Sequence, residues 1–315
     1  GLGDVYKRQA PSRLPVLQYA DSRDLREKMW KGYTSNAQSG DNDNRPVIAE
    51  IVKARARKAA ILGFPTFAAY MTDAVMAKTP EAAEQLLLSI WEPAKAKVAE
   101  EVAEMQTLSN SLGNNFEIQP WDYYYFAEKV RQQKYALDEN AIRPYFAVDS
   151  VAKGIFTMAN KLYGITFEEM PDAPKYHPDV KVYEAKDADG NHLAVFMTDY
   201  FTRPEKRQGA WMEELKTSWI NPDGSVERPI VYNVGNFSKP TADAPALLSI
   251  DEIQTMFHEF GHGLHGMLSK VRLKSQSGTK VDRDFVEFPS QFHEHWAFQP
   301  ELLKEYAHHY KTGEL

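Results

Sequence analysis

The sequence contains no cysteine. That excludes a disulfide framework, a thiol nucleophile and a thiolate metal site, so any metal would have to be held by histidine and carboxylate. No apolar run approaches the roughly 18 residues of a membrane span. No basic stripe is present either: the formal charge is −7, with acidic and basic residues interspersed, so nucleic acid is not expected as a partner. Internal repeats and low-complexity linkers are also missing. The first methionine is Met29, and the chain stops at Leu315 inside a polar, helix-like stretch, LLKEYAHHYKTGEL. It reads as an internal piece of a longer protein. A cytoplasmic location is expected, with periplasmic or exported locations left open because a signal peptide is not in view. What is present is a chain of 315 residues, 43% hydrophobic and 12% aromatic, enough to build the core of one large or two ordinary domains.

The first half reads as helices. Residues 22–36 open on Ser22 as N-cap. Residues 44–62 and 80–110 carry apolar residues at helical spacing, with a kink expected at Pro93. Residues 121–134 and 149–163 continue the pattern, and the aromatics Tyr123 to Phe126 are expected to pack in a core. The middle differs. Residues 180–201 read as strand, turn, strand, with Asp189-Gly190 as the turn. Asp187 to Gly190 lacks the spacing and the closing glutamate of a calcium loop. A second turn at Asn221 to Gly224 leads into RPIVYNVGNF, another strand. The expected class is mainly α-helical with a small β-sheet: a helical part over 12–175, the sheet over 180–240 and metal-binding helices over 249–315.

Seven of the nine histidines lie at or after residue 258. The run IDEIQTMFHEFGHGLHGML has apolar residues at 253, 256, 257, 260, 264 and 268, the period of a helix. His258 and His262, four apart, project from one face within reach of one ion, and Glu259 stands beside the position a water would occupy. His265, three residues beyond His262, could also approach that face. Two histidines do not complete a zinc site, and H-E-x-x-H recurs by chance. A second segment, DFVEFPSQFHEHW, offers Asp284, Glu287, His293, Glu294 and His295 as third ligands, on a helix that Asp284 could cap and Pro289 could open. Glu287, Gln291 and Glu294 share one face of that helix; His293 and His295 point elsewhere and suit packing or surface roles. One carboxylate can bind metal and the other can fix the tautomer of a ligand histidine. The spacing leans toward Glu287 as ligand and Glu294 as its support without deciding between them.

HEFGHGLHGMLS, followed by Ser277-Gly278-Thr279 and RDFVEFPSQFHEHW, resembles the thimet oligopeptidase family of zinc peptidases, and within it the bacterial peptidyl-dipeptidases. PVLQYADSRDLRE, ARKAAILGFPTFAAYMTDAVMAKTP, AVDSVAKGIFTMANKLYGI, DYFTRPEKRQGAWM and NVGNFSKP agree, in the family's order, from about residue 12 to the end. Residues 1–11 match nothing in it and are expected to be non-native or unstructured. The resemblance implies His258, His262 and Glu287 as ligands of one zinc per chain, Glu259 as general base and Glu294 as a supporting carboxylate. It implies a zincin-type helix beside a deep channel that admits short peptides, with the small sheet pairing with the substrate backbone. It further implies release of C-terminal dipeptides; a monomer is expected. The alternatives are an endo-acting oligopeptidase of the same family, or a non-catalytic peptide-binding fragment that keeps its metal site. Family members are about twice as long, and the groups that stabilise their oxyanion lie beyond this chain, so weak or absent turnover is expected of it alone.

Overall fold

The computed structural model describes residues 10–135 and 139–315. They form two compact units, one on each side of residues 136–138. The division therefore falls inside the stretch expected to be one helical part.

The first unit is entirely helical: α1 (Ala10–Tyr19), α2 (Arg23–Thr34), α3 (Arg45–Ile61), α4 (Phe67–Asp73), α5 (Pro80–Ser111) and α6 (Tyr123–Tyr135). Side-chain caps set several starts. Ser22, Thr66 and Thr79 each accept a hydrogen bond from a backbone N–H of the first turn. Pro93 lies inside α5, which continues as helix on both sides of it. The aromatic run divides: Phe126 is core, whereas Tyr124 is exposed. Before α6, Asp122 is fully buried and accepts hydrogen bonds from Arg23 and Arg26 of α2. Helix α1 begins at Ala10, before the residue-12 start of the resemblance, and residues 1–9 lie outside the described residues.

The second unit is a sheet with helices packed on it. Its helices are α7 (Glu139–Ile142), α8 (Val148–Tyr163), α9 (Ile250–Met267), α10 (Glu287–Glu294) and α11 (Pro300–Tyr306). Its main strands are β1 (Thr166–Glu169), β2 (Lys181–Lys186), β3 (His192–Phe201), β4 (Trp211–Lys216) and β7 (Ile230–Phe237), with a small pair β5 (Trp219–Ile220) and β6 (Val226–Glu227). The five-stranded order is β1-β2-β3-β7-β4, antiparallel except for the parallel β3–β7 pair. β2 and β3 are the hairpin read from sequence, turning at Asp187, whose carboxylate accepts from the Asp189 and Asn191 N–H groups. β4 is an edge strand.

The core joins α8, the sheet and α9. Phe156, Phe167, Phe196 and Phe260 meet with ring centroids 4.3–6.4 Å apart. α9 is capped by a reciprocal pair: the Ser249 hydroxyl accepts from the Glu252 N–H, and the Glu252 carboxylate accepts from the Ser249 N–H. Two close approaches fix where this helix lies. A Cβ on Gly261 would stand 2.7 Å from Ser290 Cα on α10, and one on Gly266 would stand 2.5 Å from Met212 Cε on β4. Glycine costs about 1 kcal/mol in a helix interior; here it lets α9 sit against α10 on one side and the sheet on the other.

Candidate metal centre

α9 presents His258 and His262 one turn apart, with ring centroids 4.8 Å from each other. α10 approaches at the Gly261–Ser290 contact and brings Glu287 over both. Glu287 Oε2 lies 3.2 Å from His258 Nε2 and 2.9 Å from His262 Nε2. One donor atom from each of the three falls within 4.8 Å of the others. Donors of a tetrahedral zinc at ~2.0–2.2 Å from the ion stand roughly 3.3–3.6 Å apart. The spacing is therefore near what such an ion needs, and two imidazole nitrogens with one carboxylate oxygen are a donor set that suits zinc.

The surroundings favour that use. Burial lowers the pKa of His262 and outweighs the opposing pull of the Glu287 charge, which leaves the ring with a free lone pair at neutral pH. Burial alone would raise the Glu287 carboxyl, but the His262 ring beside it and a hydrogen bond from the Ser290 hydroxyl, 3.1 Å away, hold it below the ordinary range. Glu294 Oε1 lies 2.6 Å from His258 Nδ1, where it can accept a proton carried on that nitrogen, while Nε2 faces Glu287. Glu259 is buried, and burial pushes its carboxyl up to about 7; the nearby Glu287 charge adds to the rise, while His258 and the Met212 N–H of edge strand β4 oppose it. His258, Glu259, Glu294, Gln254, Asp251 and Thr255 line a cleft of about 370 Å³.

The other sequence candidates separate from this group. Nδ1 of His265 is buried without a hydrogen-bond partner among the described residues, and this histidine is not in the cluster. His293 is a packing residue: its ring bonds Tyr163 Oη at 2.8 Å and the Pro289 carbonyl at 2.6 Å, tying α8 to α10. His295 is exposed. Asp284 does not cap α10, which starts three residues later with Val286 at the N-cap position and no side-chain cap there. Two contacts escaped the sequence reading. Ser290 bonds Glu287, a contact three residues apart that a helical projection could have found. Gln254 donates to Glu294 Oε2 at 2.6 Å across 40 residues, for which no local signal exists.

Comparison with known proteins places the chain in a family. The model of peptidase family M3 matches residues 16–315. The chain is 44% identical over 303 residues to the dipeptidyl carboxypeptidase of Salmonella typhimurium, covering 95% of this chain and 44% of that protein. It is 43% identical over 302 residues to the Escherichia coli dipeptidyl carboxypeptidase, with 95% and 44% covered. It is 37% identical over 310 residues to Escherichia coli oligopeptidase A, with 96% and 46% covered. The chain thus spans somewhat under half the length of these curated relatives.

Proposed function

The chain belongs to peptidase family M3, and on that premise we propose that it carries the metal-binding part of a zinc peptidase that hydrolyses short oligopeptides and releases dipeptides from their C-termini. The observation that supports this reading is the convergence of His258, His262 and Glu287 donor atoms within 4.8 Å, next to the buried carboxyl of Glu259. His258, His262 and Glu287 would hold one zinc per chain. When bound, zinc acidifies a water and polarises a substrate carbonyl.

The chain's own groups would do the rest. Glu259 accepts a proton from the attacking water and returns it to the leaving amine. Glu294 keeps the His258 proton on Nδ1. No strand pairs with the outer edge of β4 among the described residues, so an extended peptide could add there as a further strand, and the Met212 N–H beside Glu259 puts that edge near the base. The deep channel implied by the resemblance is part of the same proposal. So is a turnover well below that of a full-length relative, because losing a single oxyanion donor typically costs ~10²–10³ in rate. The resemblance leaves a second reading, an endo-acting oligopeptidase of the same family, in which the cut falls inside the peptide; one of the relatives is named an oligopeptidase, at 37% identity.

The test is zinc per chain after exhaustive dialysis, with peptide products read by mass. The parent should hold near one zinc and Glu287→Ala little. Glu259→Gln should keep the metal and lose hydrolysis. Absence of zinc from a well-folded parent would overturn the ligand set. Dipeptides from the C-terminus of an N-blocked peptide, as against internal fragments, decide between the two modes of cleavage.

A further inference from the structure

Glu294 has two carboxylate oxygens, and each has a separate partner. Oε1 meets His258 Nδ1 at 2.6 Å, and Oε2 accepts from Gln254 Nε2 at 2.6 Å. Gln254 and His258 are one turn apart on α9, while Glu294 reaches them from the end of α10. The three side chains therefore form a bridge between the two helices that carry the candidate ligands.

A carboxylate held at only one oxygen can swing about its terminal torsion, which is broad, and carry that oxygen out of line with the imidazole. The Gln254 NH₂, donating to the second oxygen, narrows that swing and holds the carboxylate plane toward His258. It does so without adding charge. A lysine or arginine in its place would neutralise Glu294 and weaken its hold on the His258 proton; a glutamate would repel it. We propose that Gln254 is a positioning residue for the metal centre, acting through Glu294 to fix the tautomer and orientation of His258. This deepens the function proposed above and rests on it. Gln254 is exposed, so replacing it leaves the core untouched.

The experiment is a double-mutant cycle on zinc affinity, measured by chelator competition in the parent, Gln254→Ala, Glu294→Ala and the double variant. Loss of such an outer partner typically weakens metal binding ~10–100-fold. Gln254→Ala should bind about tenfold more weakly than the parent, and should add no further loss in the Glu294→Ala background. Unchanged affinity in Gln254→Ala would overturn the proposal, as would a tenfold loss that persists once Glu294 is gone. A second readout needs no metal. In the metal-free protein both ring nitrogens of His258 face carboxylates, so the readout is the ¹⁵Nδ1 and Nδ1–H shifts: they should report a strong hydrogen bond to Glu294 in the parent and a weaker one in Gln254→Ala, with Gln254→Asn restoring the parent pattern only in part. Identical shifts in parent and Gln254→Ala would overturn the relay by themselves. A parent that takes up no zinc would sink the proposed function, while the ring shifts still decide the role of Gln254.

Discussion

At the scale of single residues, the turn after β3 depends on one carboxylate. Asp199 is buried at the end of β3 and accepts from Arg203 at 2.8 Å through both oxygens, from Lys206 at 3.0 Å and from Tyr176 at 3.0 Å. Lys206 is itself buried and donates to the Asp199 and Phe201 carbonyls. Burial alone would raise the Asp199 carboxyl; the Arg203 and Lys206 donors overcome it and hold the pKa below the ordinary carboxylate value. The sign follows from linkage. A carboxyl depressed in the folded state contributes stability that is full above its unfolded pKa, about 3.9, and is lost as pH falls through the folded value. Asp199→Asn should therefore lower stability at pH 7 by about 3–5 kcal/mol, because it leaves the buried Lys206 ammonium, and the partly buried Arg203 beside it, without their carboxylate. It should also flatten the loss of stability that the parent shows below about pH 4. Denaturant melts at pH 7 and pH 3 check both. Equal stability of parent and variant at pH 7 would show that the cluster contributes nothing net. Asp199, Arg203 and Lys206 stand in the stretch DYFTRPEKRQGAWM, part of the family resemblance, yet their role was not legible there. Ion pairing at i, i+4 and i+7 along an irregular turn follows no periodicity.

At the scale of elements, the geometry of the site depends on how closely α9 and α10 approach. Gly261→Ala would put a methyl 2.7 Å from the Ser290 Cα, a backbone atom that cannot turn aside. Overpacking of this kind costs about 1–3 kcal/mol, against a gain of about 1 kcal/mol in helix propensity. The expected outcome is a modest fall in melting temperature with a disproportionate fall in zinc content, since Glu287 moves with α10. At Gly263 the nearest obstacle is the Asn233 side chain at 3.1 Å, so Gly263→Ala should lose less metal. Melting curves and metal analysis on both variants check the order.

α9 itself was legible to within a residue, because its apolar period and the Ser249 cap agree. α4 was not, although Thr66 caps it: seven residues carry too little periodicity. β4 was hidden for another reason. WMEELK consists mostly of strong helix formers, and pairing with β7 overrides that preference. Its place at the sheet edge, beside Glu259, follows from tertiary structure alone.

At the scale of the whole molecule, the apolar surface is unevenly distributed. In the first unit, Val47, Ile48 and Val52 of α3 and Leu87, Ile90 and Trp91 of α5 are all more than half exposed. Clusters of this kind are uncommon on a self-contained surface, and the chain spans under half the length of its curated relatives. The native 315-residue chain should bind a hydrophobic dye such as ANS. Polar replacement of Leu87, Ile90 and Trp91 should cut that fluorescence while leaving zinc content unchanged. Dye binding that survives these replacements would place the exposed apolar surface elsewhere. This imbalance was not legible in the sequence, because a helix with apolar residues at 3.6-residue spacing reads the same whether or not a neighbour covers it.

On the proposed ligand set, one more consequence follows from His262 and Glu287 lying on different helices. The chain between α9 and α10 has no regular element longer than the three-residue turn Lys274–Gln276. An ion shared by His262 and Glu287 would draw the two ends of that segment together like a cord through a purse. Loading the ion and settling residues 268–286 would then be a single event, and the segment would keep a record of whether the purse is shut.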